Sequence, residues 1–277
     1  MRDRLEQLAS AEVEVLARVK MAVTARLTAL AGGMDGAMGG GSSRAFTLAL
    51  ACRGLPTAFI SRGPEGLRAY TGGERPPRRA SLVLFFGSPR RAAAILSGGS
   101  GTPLPLPLGG GALAALGFFR AAAKGAPAML ADPAREPPLR ARLLAEAALA
   151  GLAAVASSDP WLAERLEHVP DGGVLVECPG SFSRRLEKSG RAVRLVDEAE
   201  KEAAEGRGAA ARLRFRDAGT AVAVFTGAKP AILALATGEV AISGLIPLVQ
   251  GLFAVLDRLG DFMAVRAGGT GGKEGGE

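Results

Sequence analysis

The side chains best suited to chemistry are few and scattered: one histidine, His168, and two cysteines, Cys52 and Cys178. A single imidazole excludes a histidine-based metal cluster, and any Ser-His-Asp relay would have to pass through it. His168 closes the run Asp159-Pro-Trp-Leu-Ala-Glu-Arg-Leu-Glu-His168, where Asp159 caps a helix and Pro160 takes its first position, so a role near the last carbonyls is expected. Each cysteine ends a short apolar run just ahead of a glycine, which reads as a matched pair of strand ends in a reducing, cytoplasmic compartment. Gly227-Ala-Lys229 is followed by Pro230 and cannot cradle a phosphate as a P-loop does. Gly109-Gly-Gly111 precedes a helix but lacks the strand and acid of a dinucleotide site. With one Trp161 and one Tyr70, the chain lacks the aromatics of a stacking nucleic-acid module, and no nucleic-acid partner is expected. Neither catalytic residues nor a metal or cofactor is expected.

The strongest internal signal is repetition. Leu82–Leu116 lies on Ala211–Leu245 at a constant offset of 129 residues, with ten of thirty-five positions identical. These are Leu84/Leu213, Phe86/Phe215, Ala92/Ala221, Ala94/Ala223, Gly98/Gly227, Leu104/Leu233, Leu106/Leu235, Gly109/Gly238, Ala112/Ala241 and Leu116/Leu245. Chance in so Ala-, Leu- and Gly-rich a chain gives roughly three. A period near 130 is that of a whole domain. Two copies in 277 residues allow each to bury a core of its own. The expected division is 1–132, a linker at 133–138, 139–264, and a disordered tail at 265–277.

Charge divides unevenly between the copies. Residues 1–134 hold 16 basic and 8 acidic side chains, and residues 135–277 hold 18 and 19. The first copy could therefore meet something anionic, such as a membrane surface of phospholipid headgroups, an acidic partner or nucleic acid, although an Ala/Gly/Arg-rich composition produces arginine without any partner. The charged start, Met1-Arg-Asp-Arg-Leu-Glu, predicts no secretory leader, and the longest uncharged stretches are broken by proline and glycine, so no membrane span is expected.

Periodic Leu5, Leu8, Leu16, Val19, Val23, Leu27 and Leu30 predict an amphipathic opening helix, followed by a flexible Gly39–Ser43 joint. Phe46–Cys52, Thr57–Ser61, Leu67–Tyr70 and Ser81–Phe86 read as strands, with a charged loop at Gly72–Arg79. Ser88-Pro89 and a closing Gly98 mark a short helix. Its counterpart, Ala218–Gly227, alternates like a strand, yet the repeat and Asp217 as cap argue for a helix there too. Each copy then has a Leu-x-Leu run ending in glycine (Leu104–Gly109, Leu233–Gly238), a short strand and an apolar helix, Leu113–Leu130 or Leu245–Leu259. Asp132–Pro138 reads as the linker, Leu139–Ala156 as a helix opening the second copy, and Glu198–Arg207 as a charged insertion.

The order of strand Ala211–Arg216, capped helix, Gly227, Leu-x-Leu and Gly238-Glu-Val-Ala-Ile-Ser-Gly244 before an apolar helix resembles the sterol carrier protein family of the type-two, non-specific lipid-transfer kind. The likeness covers about 55 residues of the second copy and is fainter over Ser81–Leu130, where Gly109-Gly-Gly-Ala-Leu113 replaces the full motif. It implies an α+β fold: two copies of a curved, mostly antiparallel sheet covered by helices, each with a hydrophobic tunnel. It also implies non-enzymatic binding or transport of a fatty-acyl, sterol-like or isoprenoid lipid. The apolar residues placed to line such tunnels are Phe86, Leu96, Leu106, Leu113, Leu116 and Phe119 in the first copy. In the second they are Phe225, Leu235, Ile242, Leu245, Leu248, Leu252 and Phe253. The alternative is an oligomerising or accessory protein, such as a homodimer, that uses the apolar terminal helices as its interface.

Overall fold

The computed structural model describes residues 10–34, 44–64, 66–72, 76, 78–131, 136–196 and 208–264. The expected Gly39–Ser43 joint, the Glu198–Arg207 insertion, the tail from 265, most of the Asp132–Pro138 linker and half of the Gly72–Arg79 loop lie outside them. The first half runs α1 (Ser10–Met34), β1 (Phe46–Ala51), β2 (Ala58–Gly63), β3 (Gly66–Tyr70), β4 (Leu82–Phe85), α2 (Pro89–Leu96), β5 (Leu104–Pro107) and α3 (Ala112–Ala131). The second runs α4 (Pro137–Ala156), α5 (Pro160–Glu167), β6 (Gly172–Cys178), β7 (Phe182–Ser189), β8 (Ala192–Val196), β9 (Ala211–Phe215), α6 (Ala218–Phe225), α7 (Ala231–Ala236), β10 (Val240–Gly244) and α8 (Ile246–Ala264).

The fold is α+β, and the two five-stranded sheets share one topology. Their orders are β3-β2-β1-β4-β5 and, read in the same sense, β8-β7-β6-β9-β10. Every pairing is antiparallel except the central one: β1 runs parallel to β4, and β6 to β9. Register makes the equivalence residue-specific, because Leu48 opposes Leu82 as Val174 opposes Ala211. Cys52 and Cys178 therefore occupy one structural position, where burial pushes both thiols up from their ordinary value. From Tyr70 to Leu82 is 12 residues and from Val196 to Ala211 is 15, so the charged insertion adds only three.

The ungapped repeat holds through the small helices and then breaks. Both α2 and α6 form, capped by Ser88 and Asp217, and in α6 the cap and tertiary packing override the strand-like alternation. Past them, Leu108 N–H donates to Ser81 O as Leu245 N–H donates to Ala210 O, spans of 27 and 35 residues. The eight extra residues hold α7, a helix without a counterpart in the first half. Leu104 and Leu106 thus lie on a strand, while Leu233 and Leu235 lie on a helix. The last five identities of the alignment are coincidences of composition. The first half also lacks the separate short strand expected after its Leu-x-Leu run, because that run is itself the edge strand β5.

Expected to be amphipathic, α1 is instead buried nearly all round. Leu16, Ala17, Val19, Met21 and Ala25 are sealed, and so are Lys20, Arg26 and Thr28. It packs on its own sheet, on α2 and on α3 from one side and against α4 from the other; α4 makes the matching set of contacts with β8, α6 and α8. The layers therefore run sheet, helices, helices, sheet. Small residues make the approach close: Gly32 lets the Phe118 ring of α3 lie where a side chain on α1 would stand, 2.3 Å from an added Cβ. One contiguous hydrophobic cluster includes the inner faces of both sheets, so the halves share a core.

Two charged clasps cross between the halves. Glu146 on α4 accepts from Arg184 Nε at 2.7 Å and lies 3.8 Å from Arg26 of α1, all three largely buried. Arg258 on α8 reaches Asp159 at 2.8 Å and Glu12 of α1 at 3.3 Å. Removing the shared carboxylate takes from two buried guanidinium groups an acceptor that both approach. Glu146→Gln is expected to lower unfolding free energy by about 3–5 kcal/mol in urea titrations, with both halves melting in a single transition. Two resolved transitions would show that the shared core does not couple them.

Candidate functional site

A corner of each half, around the edge strand and the start of the terminal helix, presents apolar groups to the outside, and α7 adds to it in the second half. In the second half, Asp217 starts α6 by accepting from Thr220 N–H at 2.7 Å, and Arg216 lies 3.1 Å from the same carboxylate. These two partners, the backbone donor first, hold the Asp217 carboxyl below its ordinary value. The helix carries Phe225 over Phe215 and Phe182, with centroid separations of 5.2 and 6.2 Å. Glu239, at the entrance to β10, pairs with Lys229 and with Arg216, and these cations lower its pKa. Chain reversal after β10 depends on Gly244, whose φ of +84° and closeness to Ala210 O, 2.3 Å from an added Cβ, admit no side chain.

In the first half Ser88 caps α2, Phe86 is sealed beneath it, and Phe118 of α3 packs on Phe46 at 5.2 Å. The Arg62 guanidinium lies over both rings. The position of Gly244 is taken by Pro107, each opposing the first residue of its neighbouring strand, Ala211 or Leu82.

The residues expected to line a tunnel are distributed differently in the two halves. In the second, Leu248 and Leu252 are buried in the core, and Phe225, Leu235, Ile242, Leu245 and Phe253 pack partly buried against it. In the first, Phe86 is in the core and Leu96, Leu116 and Phe119 pack on it, but Leu106 and Leu113 face solvent, Leu113 at 86% exposure. Also exposed at these corners are Leu104 and Leu108 in the first half, and Ile232, Leu233 and Ile246 in the second. None of these was among the residues expected to line a tunnel. The Leu-Pro-Leu-Pro-Leu spelling was an available signal, since prolines are tolerated at a sheet edge where few neighbours can cover the leucines.

Of the clefts among the described residues, two are large, and neither of these is the enclosed apolar tunnel that the resemblance implies. One of about 670 Å³ wraps the β6–β7 turn and is lined by Arg142, Glu177, Ser181, Arg184 and Arg214 among others. The second, about 310 Å³, lies between the end of α4 and the β7–β8 turn, beside Ser157, Asp159 and Arg191. None of the expected lining residues borders either one.

Among the described residues, no group of three His, Cys, Asp or Glu side chains is placed to hold a metal ion. His168 is the exposed C-cap residue of α5, far along the chain from either corner.

Asp217→Ala is expected to cost about 1 kcal/mol at neutral pH through the lost cap. Because the native carboxyl titrates below its unfolded value of about 3.9, its contribution is complete above that pH and is lost as pH falls through the depressed native value. Asp217→Asn retains the cap and should flatten that part of the acid limb in denaturation measured from neutral pH to strong acid. Gly244→Ala, strained by positive φ and by the carbonyl of Ala210, should cost at least about 2 kcal/mol in thermal or urea melts.

Compared with known proteins, the chain matches no family model and is similar in sequence to no curated protein.

Proposed function

We propose that this protein binds and carries a hydrophobic molecule without transforming it, each half acting as a unit of the sterol-carrier type. The observation that carries the reading is the pair of apolar corners: Leu108 and Leu113, exposed between edge strand and terminal helix in the first half, and Ile232 and Leu233 on α7 with Ile246 at the start of α8 in the second. The same half has an aliphatic and phenylalanine-rich set of partly buried side chains packed against the core, Phe225, Leu235, Ile242 and Leu245. An acyl, sterol-like or isoprenoid ligand would enter by parting the small helix from the terminal helix, replacing side-chain contacts with its own. Each buried CH₂ would contribute about 0.8 kcal/mol, so a dozen carbons could offset the cost of that opening. The compartment proposed is the cytoplasm; no described helix is long and apolar enough to cross a membrane.

The alternative of an oligomer built on the terminal helices is weakened by one fact. Leu248, Leu252, Val255 and Leu259 of α8 are buried within the chain, which leaves little of that helix's apolar face for another copy.

Native mass spectrometry of the purified chain, followed by lipid extraction and a fluorescent fatty-acid displacement titration, tests the proposal. A co-purified lipid and saturable displacement are expected, with Leu235→Asp weakening displacement more than Leu113→Asp because the former lies deeper. A protein that carries no lipid and displaces no probe rejects carriage.

A further inference from the structure

A sheet face open to water ordinarily bears polar side chains, and the second sheet does so. Register brings Glu177, Arg185, Glu187, Arg194, Arg212 and Arg214 onto its outer face. There Arg185 pairs with Glu187 at 2.6 Å, and Glu177 lies 3.6 Å from Arg212 and 3.9 Å from Arg214.

The same face of the first sheet is largely apolar, although Ser61 and Arg68 stand where the second has Glu187 and Arg194, and Thr47 where it has Gly173. Phe59 replaces Arg185, Val83 and Phe85 replace Arg212 and Arg214, and Ala51 replaces Glu177. Leu104 and Leu106 stand where the second half has Ala241 and Ser243. An unbroken row, Tyr70, Phe59, Ala49, Val83 and Leu106, crosses all five strands. Except for buried Ala49 these side chains are half-buried or exposed, and Leu104 is 56% exposed. The helices that pack on this sheet meet its other face, through Phe46 and Leu67.

We propose that this outer face docks the protein onto an anionic phospholipid bilayer. The charge around it selects that occupant. From Arg44 to Ala131 the chain carries eleven basic residues and two acidic ones, Glu65 and Glu74. Exposed arginines stand at both ends of the parallel central strands: Arg78 and Arg79 before β4, Arg53 after β1, Arg90 and Arg91 after β4. A second copy docked through the same face would set this basic surround against itself. Pairing through the sheet edge is blocked by Pro105 and Pro107, which lack donors. A bilayer offers hydrocarbon to the apolar row and phosphate to the arginines. Each arginine near such a surface contributes about fivefold to partitioning. Docking of this kind is independent of whether a ligand occupies the corners.

Co-sedimentation of the full chain with vesicles of phosphatidylcholine alone, and of equal parts phosphatidylcholine and phosphatidylglycerol, tests it. Binding is expected to the mixed vesicles only and should weaken with salt. Leu104→Ala/Leu106→Ser, which installs the residues of the second sheet at largely exposed positions, should reduce partitioning by at least about tenfold with an unchanged circular dichroism spectrum. Arg78→Gln/Arg79→Gln should reduce it by about fivefold per residue. Arg212→Gln/Arg214→Gln, on the opposite sheet, should leave it as in the wild type. The proposal is overturned by absence of sedimentation with the mixed vesicles, or by equal loss from the second-sheet arginines. It is also overturned by self-association that Leu104→Ala/Leu106→Ser abolishes in a chain that binds no vesicle, which would identify a second copy as the occupant.

Discussion

The packing of α1 against α4 is the constraint on which the rest of the molecule depends. Each helix covers its own sheet and is itself covered by the other, so neither half can present a solvated helix layer. This geometry explains the small residues along both helices and the burial of Lys20, Arg26 and Glu146 at a boundary that would otherwise be hydrocarbon. Buried charge of this sort adds little net stability compared with an apolar replacement, but it is costly to break on one side only. Arg26, Glu146 and Arg184 come from α1, α4 and β7, which ties both halves into one array. The Arg258 clasp to Asp159 and Glu12 repeats the logic at the other end of the interface.

Back-to-back packing also divides the surface. It turns both sheets outward, onto opposite sides of the molecule, so each outer face is free to change without disturbing the core. The two have changed in different directions. One carries arginines matched to glutamates; of those six charged positions the other fills four with phenylalanine, valine or alanine and two with Ser61 and Arg68. Because the backbone register is shared, the contrast owes nothing to fold. It is a difference in what each face meets.

A good part of this was legible in the chain. Short apolar runs bounded by Gly and Pro located four of the five strands of the first sheet to within two residues, since turn chemistry is local. Ser88-Pro89 and Asp159-Pro160 located helix starts for the same reason. The repeat was real, and Asp217 was enough to overrule a strand-like pattern in α6. The candidate site was less legible. Apolar spacing identified side chains that gather near the corners of both halves, but it could not separate Leu248, sealed in the core, from Leu113, standing in solvent, because both satisfy the same periodicity.

Local sequence decided where elements begin and end, that two similar units follow one another, and how few groups are suited to catalysis. Tertiary structure decided that α1 is a central rather than a surface helix, that the last identities of the repeat are not equivalent positions, and that one sheet face is largely apolar where its twin is largely charged. The division has a physical cause. Caps, turns and alternation depend on neighbours a few residues away, whereas burial depends on which other element arrives to cover a side chain. For α1 that element is α4, whose first residue lies more than a hundred positions further along the chain.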